Sequence, residues 1–386
     1  MKLFKKFKDQ LVSEVVIVSI IFGFSAGVAG QIVADVYINP WEIDGLSLSN
    51  TNENSTLAVP ELQRVKKFVG IEQDFEVNKT VTKIYPALCG VYLKKAESGG
   101  ALSRVYLPGE LQATGLIFTS DGWIMTYDPA LATYKKEQLQ ISVSQKLYDA
   151  DALVYDKLTG VWFIKISANN LPVVALGDSA EAAAGQLAVT LNAGSDAAVL
   201  NIQNPEFIFL ENANSLAAPA EQFRKIINFT SALKGNYAGG PVANLDGEII
   251  GIIKDIGDQK KVASAIPINQ VRPAALNVLR SKQVKRPFLG VTYLDLAKAP
   301  GLPAVLSQGL SAGALIYQNP KAKSPAALAG LKINDIIVSV DNQRLDQNTD
   351  LTDVIMQYSP QAKVRLEIRR AGKTESIDAT LELLPE

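Results

Sequence analysis

Hydrophobic and polar positions follow three different rhythms along this chain. Near its start an unbroken apolar stretch runs from Val15 to Val33, with Ser19, Ser25 and Gln31 as its only polar side chains. Its 19 residues cover about 28 Å as a helix, roughly one bilayer core. Lys2, Lys5, Lys6 and Lys8 come before it, and Asp35, Glu42 and Asp44 come after it. That asymmetry predicts a cytoplasmic basic segment over 1–14 and a transmembrane anchor over 15–36, with the rest of the chain outside the plasma membrane. A cleaved signal peptide is the rival reading, with Val28-Ala29-Gly30 as small residues at the cut. The length of the apolar run favours the anchor.

The middle rhythm is loose. Residues 37–76 lack clear periodicity and read as a linker, with a polar run from Asn50 to Thr56 typical of a loop. Glu61–Val69 has the spacing of a short amphipathic helix. From Val77 to about residue 275 the pattern changes to short apolar strands with turns between them, which predicts an all-β barrel domain. Two β-rich runs around Asp121-Gly122, from Thr114 to Thr126, predict a hairpin. Over 286–386 helix and strand signals mix. A short helix after Ser324 ends at Gly330, a turn passes through Asn334-Asp335, and a strand follows. A further helix is predicted from about Asp350 to Tyr358.

Composition narrows the chemistry. The chain has 386 residues, enough for two or three domains, and 38 basic against 39 acidic side chains. Balanced charge gives no electrostatic case for nucleic acid. Cys89 is the one cysteine and there is no histidine. An intramolecular disulfide and a cysteine–histidine metal site are therefore both excluded, and no cofactor is expected. Cys89 lies in the apolar run Pro86–Val91 and reads as a small core residue.

The stretch Gly235-Asn236-Tyr237-Ala238-Gly239-Gly240-Pro241 resembles the nucleophile loop of trypsin-type proteases, in particular the HtrA/Deg family. The resemblance implies a double β-barrel over 77–275. In that family a serine stands where this chain has Ala238. The family's catalytic histidine falls on Pro129, after the hairpin, and its aspartate on Gly160, within Asp156-Lys157-Leu158-Thr159-Gly160. A Ser-His-Asp mechanism needs an imidazole to take and return a proton. The resemblance thus implies a pseudoprotease, and the chain is expected not to be an enzyme. Tyr237 occupies the family's asparagine slot and is expected to disturb the oxyanion-hole backbone. A rival reading keeps catalysis through a non-standard dyad of Ser231 and Lys234.

The C-terminal module resembles a bacterial PDZ domain. By that resemblance Phe288, Leu289, Gly290 and Val291 form a loop that receives a ligand's terminal carboxylate. Leu351, Val354 and Ile355 line the other wall of the peptide groove. For Val354, core and groove are equally good readings. The order anchor, protease domain, PDZ domain is similar to membrane-anchored HtrA/Deg proteins of the bacterial envelope. It implies peptide or protein binding as scaffold, sensor or chaperone, and a homotrimer. A non-catalytic subunit paired with an active paralogue is the other non-enzymatic reading.

Overall fold

The computed structural model describes residues 72–96, 100–234, 236–257 and 261–385. The expected anchor at 15–36, the basic segment before it and the amphipathic stretch 61–69 lie outside the described residues. Among the described residues, no helix is long and apolar enough to cross a membrane.

The first element departs from the expected linker and strands. Helix α1 (Glu72–Ile84) crosses the boundary placed at 76/77. Val77 and Val81 pack against the core and Ile84 is fully buried, so the apolar face recurs at i, i+4 and i+7. The Thr80 hydroxyl pins this helix by donating to the Leu245 carbonyl at 2.6 Å.

Seven strands follow. They are β1 (Leu88–Leu93), β2 (Leu111–Ile117), β3 (Trp123–Thr126), β4 (Leu139–Val143), β5 (Lys146–Asp149), β6 (Ala152–Tyr155) and β7 (Trp162–Lys165). They pair in the order β5-β4-β1-β2-β3-β7-β6. The expected hairpin is β2–β3, and Gly122 in its turn has φ +100°. A side chain there would bring its Cβ within 2.5 Å of the Ile166 carbonyl oxygen, so only glycine fits. Leu116, Ile124, Met125, Ile141 and Phe163 fill the core behind this sheet.

The second set is β8 (Leu187–Leu191), β9 (Ala197–Phe207), β11 (Ile226–Phe229), β12 (Pro241–Ala243), β13 (Ile249–Asp255) and β14 (Ser264–Pro267). It closes into a barrel in the order β11-β14-β13-β12-β8-β9. The expected pair of barrels is thus one closed barrel beside a seven-stranded sheet whose pairing path has two ends. Helix α2 (Ile268–Ser281) leaves β14 and buries Val271, Ala274, Ala275 and Val278 against the first core.

The C-terminal part holds β15 (Pro287–Phe288), β16 (Thr292–Asp295), β17 (Ala314–Ile316), β18 (Ile336–Val340), β19 (Gln343–Arg344), β20 (Lys363–Arg370), β21 (Lys373–Thr380) and β22 (Glu382–Leu383). Along β20, Val364, Leu366 and Ile368 are buried while Lys363, Arg365 and Glu367 are exposed; this period-two pattern gives the strand one core face. Helices α3 (Ala304–Ser307), α4 (Pro325–Leu328) and α5 (Leu351–Ile355) are short. The helix expected from Asp350 to Tyr358 is α5, with Asp350 as its cap: its carboxylate accepts from the Asp353 N–H at 2.9 Å.

One further strand was not foreseen. The segment between β9 and β11 forms β10 (Ala217–Pro219), and β10 does not pair within the barrel. It joins the C-terminal sheet as its end strand, in the order β10-β16-β17-β18-β20-β21. Ala217, Ala218 and Pro219 lie antiparallel to Leu294, Tyr293 and Thr292.

A buried ion pair links the two halves. The Arg286 guanidinium donates to both carboxylate oxygens of Asp156, with Nε to Oδ1 at 3.2 Å. Its Nη2 also donates to the Gln270 carbonyl of α2 at 3.0 Å, and the guanidinium stacks 5.3 Å from the Phe223 ring centroid. Removing one member strands the other charge in the interior, at a cost of about 3–5 kcal/mol. Arg286→Ala is expected to lower stability to urea by about that amount. Arg286→Met with Asp156→Leu should recover most of the loss, read as the shift in unfolding midpoint at constant m-value.

Candidate functional site

Two places concentrate the residues singled out by sequence. The first is the loop holding Ala238. Gly239 has φ +75°, and a Cβ on it would stand 2.3 Å from Thr126 Oγ1 and 2.7 Å from the Tyr127 nitrogen. A Cβ on Gly240 would stand 2.6 Å from the Leu191 carbonyl oxygen. The Ala238 carbonyl accepts from the Thr114 N–H at 2.9 Å. Both glycines are therefore required by close approach of the backbone, Gly239 to β2 and β3 and Gly240 to β8.

Tyr127 joins this loop to the other two positions. It follows Thr126 and lies two residues before Pro129; its ring comes within 2.8 Å of where a Gly160 Cβ would be. So the loops of Pro129, Gly160 and Ala238 do converge, while their side chains offer no nucleophile, base or orienting carboxylate. Pro129 is exposed and opens a single 3-10 turn capped by Asp128, whose carboxylate accepts from the Ala130 N–H at 2.8 Å. Burial pushes the Asp128 carboxyl up despite that bond. Burial likewise raises the Tyr127 hydroxyl, with Tyr155, Asp255 and Asp128 adding to it.

Tyr237, expected to disturb the oxyanion-hole backbone, is buried. Its ring lies in the closed barrel's core with Leu233, Val242 and Ile253, and the neighbouring Asn236 side chain donates to the Leu111 carbonyl at 2.6 Å. Ser231 and Lys234 are both exposed. Among the described residues, no hydrogen bond joins them. Cys89 is buried in β1, and burial raises its thiol well above the ordinary range. Among the described residues, no cluster is arranged to hold a metal ion.

The second place is the C-terminal module. Phe288 ends β15, and Leu289, Gly290 and Val291 form the turn into β16, with Gly290 at φ +83°. A Cβ on Gly290 would stand 2.4 Å from the Ser324 Cβ. Two carbonyls of this turn are held by the segment around α4: Leu289 O accepts from the Ala326 N–H at 2.9 Å and Gly290 O from the Lys321 N–H at 3.4 Å. The amides of Leu289 and Gly290 point the other way, and both donate at 2.9 Å to one oxygen of the Glu221 carboxylate. Burial raises the Glu221 carboxyl, while the two amide bonds pull against it.

Leu351, Val354 and Ile355 are fully buried, in one apolar cluster with Leu289, Val291 and Ala220. Helix α5 is held by Lys225, whose ammonium is 2.6 Å from Asp353 Oδ2, 3.2 Å from Asp350 Oδ2 and 3.4 Å from Glu206 Oε1. Burial pulls the Lys225 ammonium down, but Asp350, Asp353 and Glu206 more than reverse it, and the amine stays charged. Sequence reasoning missed Glu221 and Lys225. Both lie in Ala-Ala-Pro-Ala-Glu-Gln-Phe-Arg-Lys, which carries no strand or helix period, and their partners lie far along the chain.

Two family models match this chain: a trypsin-like peptidase domain over residues 113–252 and a PDZ domain over 287–381. A probable periplasmic serine endoprotease, DegP-like, of Pseudomonas putida (strain W619) is 29% identical over 283 residues, covering 71% of this chain and 56% of the relative. Its counterpart in Marinomonas sp. (strain MWYL1) is 30% identical over 283 residues, covering 70% of this chain and 57% of the relative. The chain thus spans little more than half the length of these curated relatives. Among solved structures, the HtrA-type protease AlgW with tripeptide superposes with a TM-score of 0.60 at 22% identity, over 80% of this chain and 98% of that one. AlgW with decapeptide gives 0.58 at 21%, over 80% and 99%. At that identity the likeness speaks for the fold.

The relatives are named as serine endoproteases, and this corrects the expectation that the chain is not an enzyme. That expectation rested on three aligned side chains and the missing imidazole. Those tell what a Ser-His-Asp triad cannot do at these positions, and they do not measure what the folded polypeptide does. The effect of the serine position can be isolated. Ala238→Ser alone should leave the parent's rate of casein hydrolysis unchanged and confer no fluorophosphonate labelling, because Pro129 supplies no base to activate the new hydroxyl. A large gain in either would reveal a base that the aligned positions do not contain. With both domain models matched in order on one chain and DegP-like relatives along most of its length, the chain belongs to the HtrA/Deg family of trypsin-like peptidases carrying a PDZ domain.

Proposed function

We propose that this chain is an HtrA-type envelope protein that engages polypeptides by their C-termini. The groove between β16 and α5 is the binding site, with Phe288, Leu289, Gly290 and Val291 as the carboxylate loop and Leu351, Val354 and Ile355 as the apolar wall. The observation that carries this reading is the pair of amides on Leu289 and Gly290, 2.9 Å from a single carboxylate oxygen. Two converging N–H groups on a loop fixed by its own carbonyls make a nest for an anionic oxygen. A ligand strand laid against β16 gains main-chain hydrogen bonds, and its last apolar side chain enters the cluster around Val291.

The anchor segment 15–36 holds the chain in the inner membrane with its bulk on the extracytoplasmic side, in keeping with relatives named periplasmic. The assembly is a homotrimer built through the protease-type domain. Proteolysis, the activity in the relatives' names, belongs to the same reading as an activity to be assayed directly on this chain. The recognition step does not depend on it.

Two measurements test the reading. A peptide ending in a free carboxylate after an apolar residue should bind the detergent-solubilised full chain with a Kd of about 1 μM or weaker. The same peptide with an amidated end should lose most of that affinity, and equal binding of the two would sink the carboxylate mechanism. For the anchor, mass spectrometry of protein extracted from membranes should find residues before Val15 still attached. A mature terminus near Gln31 would mean a cleaved signal peptide.

A further inference from the structure

The groove assigned above to polypeptide C-termini is filled in this structure by the chain itself. The strand β10 lies antiparallel on β16, in the direction a ligand strand would take. The pairing continues beyond β10, with the Ala220 N–H donating to the Val291 carbonyl at 2.9 Å. Ala218 and Ala220 turn inward, 4% and 0% exposed, while Pro219 between them points to solvent. Ala220 sits in the apolar cluster with Leu289, Val291, Leu351, Val354 and Ile355. The next residue, Glu221, puts its side-chain carboxylate on the Leu289 and Gly290 amides. Four residues later Lys225 grips Asp350 and Asp353 at the start of α5.

Each part of a bound C-terminus has a counterpart here. Ala217–Ala220 supplies the paired backbone, Ala218 and Ala220 supply the third-last and last side chains, and Glu221 supplies the anion. We propose that residues 217–221 are a resident ligand of the PDZ groove, a latch, and that an external C-terminus binds only by displacing it. The inference rests on the reading of the groove as a C-terminus site. It adds that site's regulation and the class of competitor: a polypeptide whose last and third-last residues are small and apolar and whose terminal carboxylate takes over from Glu221. Because the latch leads directly into β11 of the closed barrel, its release frees a segment of the protease-type domain.

A competing intramolecular ligand lowers apparent affinity in proportion to the fraction of open groove. A latch closed in about nine of ten molecules weakens binding about tenfold. The test uses the full chain in detergent and two variants, Glu221→Ala, which removes the anion, and Ala218→Arg, which puts a charge on the inward face of β10. The probe is a decapeptide with the sequence of residues 211–220 and a free terminal carboxylate. Hydrogen exchange at the Leu289 and Gly290 amides, measured without peptide, reads the latch itself. Exchange should rise in both variants, and both should bind the probe at least about tenfold more tightly than the parent.

Unchanged exchange in both variants overturns the latch whatever the peptide does. Faster exchange with unchanged probe affinity also overturns it, since the segment then does not compete, and leaves the C-terminus reading standing. Faster exchange with no probe binding in parent or variants sinks the C-terminus reading and the competition along with it. Ala218→Arg keeps the test decisive if Glu221→Ala fails to fold.

Discussion

A guanidinium cannot sit in a protein interior without a counter-charge, and Arg286 is 4% exposed where β15 begins. Its partner, Asp156, is 1% exposed and lies 130 residues earlier, in the loop before β7. The same guanidinium also bonds the backbone of α2. One side chain therefore ties the first sheet, the helix leaving the barrel and the start of the PDZ module together. The carboxylate loop begins two residues after Arg286, so its distance from the barrel is fixed by a contact that loses its compensation if either charge moves away. That fixed distance lets the short segment between β9 and β11 reach the groove.

The loop around Ala238 separates two constraints that a family motif usually presents together. Its backbone is dictated by close packing: Gly239 and Gly240 lie where any side chain would strike β3 or β8. Its side-chain chemistry is a different matter, because nothing in that packing requires a hydroxyl at 238 or an imidazole at 129. The frame can persist while the residues it presents change, which is why fold and activity have to be argued separately.

The parts of the structure legible in the sequence were those set by local rules. Asp121-Gly122 announced its hairpin because the turn needs a positive φ at Gly122. The run from Ser324 to Val340 announced helix, turn and strand through Gly330 as the helix stop, the Asn334-Asp335 turn and the apolar-rich run Ile336–Val340. Helix α1 is equally local, with Val77, Val81 and Ile84 at helical spacing, but that spacing falls across the boundary expected between linker and strands. The segment 217–225 was illegible for another reason. Ala-Ala-Pro-Ala has weak strand propensity, and it becomes a strand only because β16 offers its backbone from more than 70 residues away. The roles of Glu221 and Lys225 depend on residues 68 and 128 positions downstream, a distance no local pattern encodes.

The placement of β10 also bears on solubility. With β10 in place, β16 is an interior strand of its sheet, and its outward N–H and C=O groups are paired. Without β10, β16 becomes the unprotected rim of the sheet, carrying a row of unsatisfied backbone groups beside an apolar trough. Such rims recruit strands from other chains. A molecule of this protein with β10 withdrawn is thus a seed for self-association unless another strand takes the vacated place, and its tendency to aggregate rises with its own concentration.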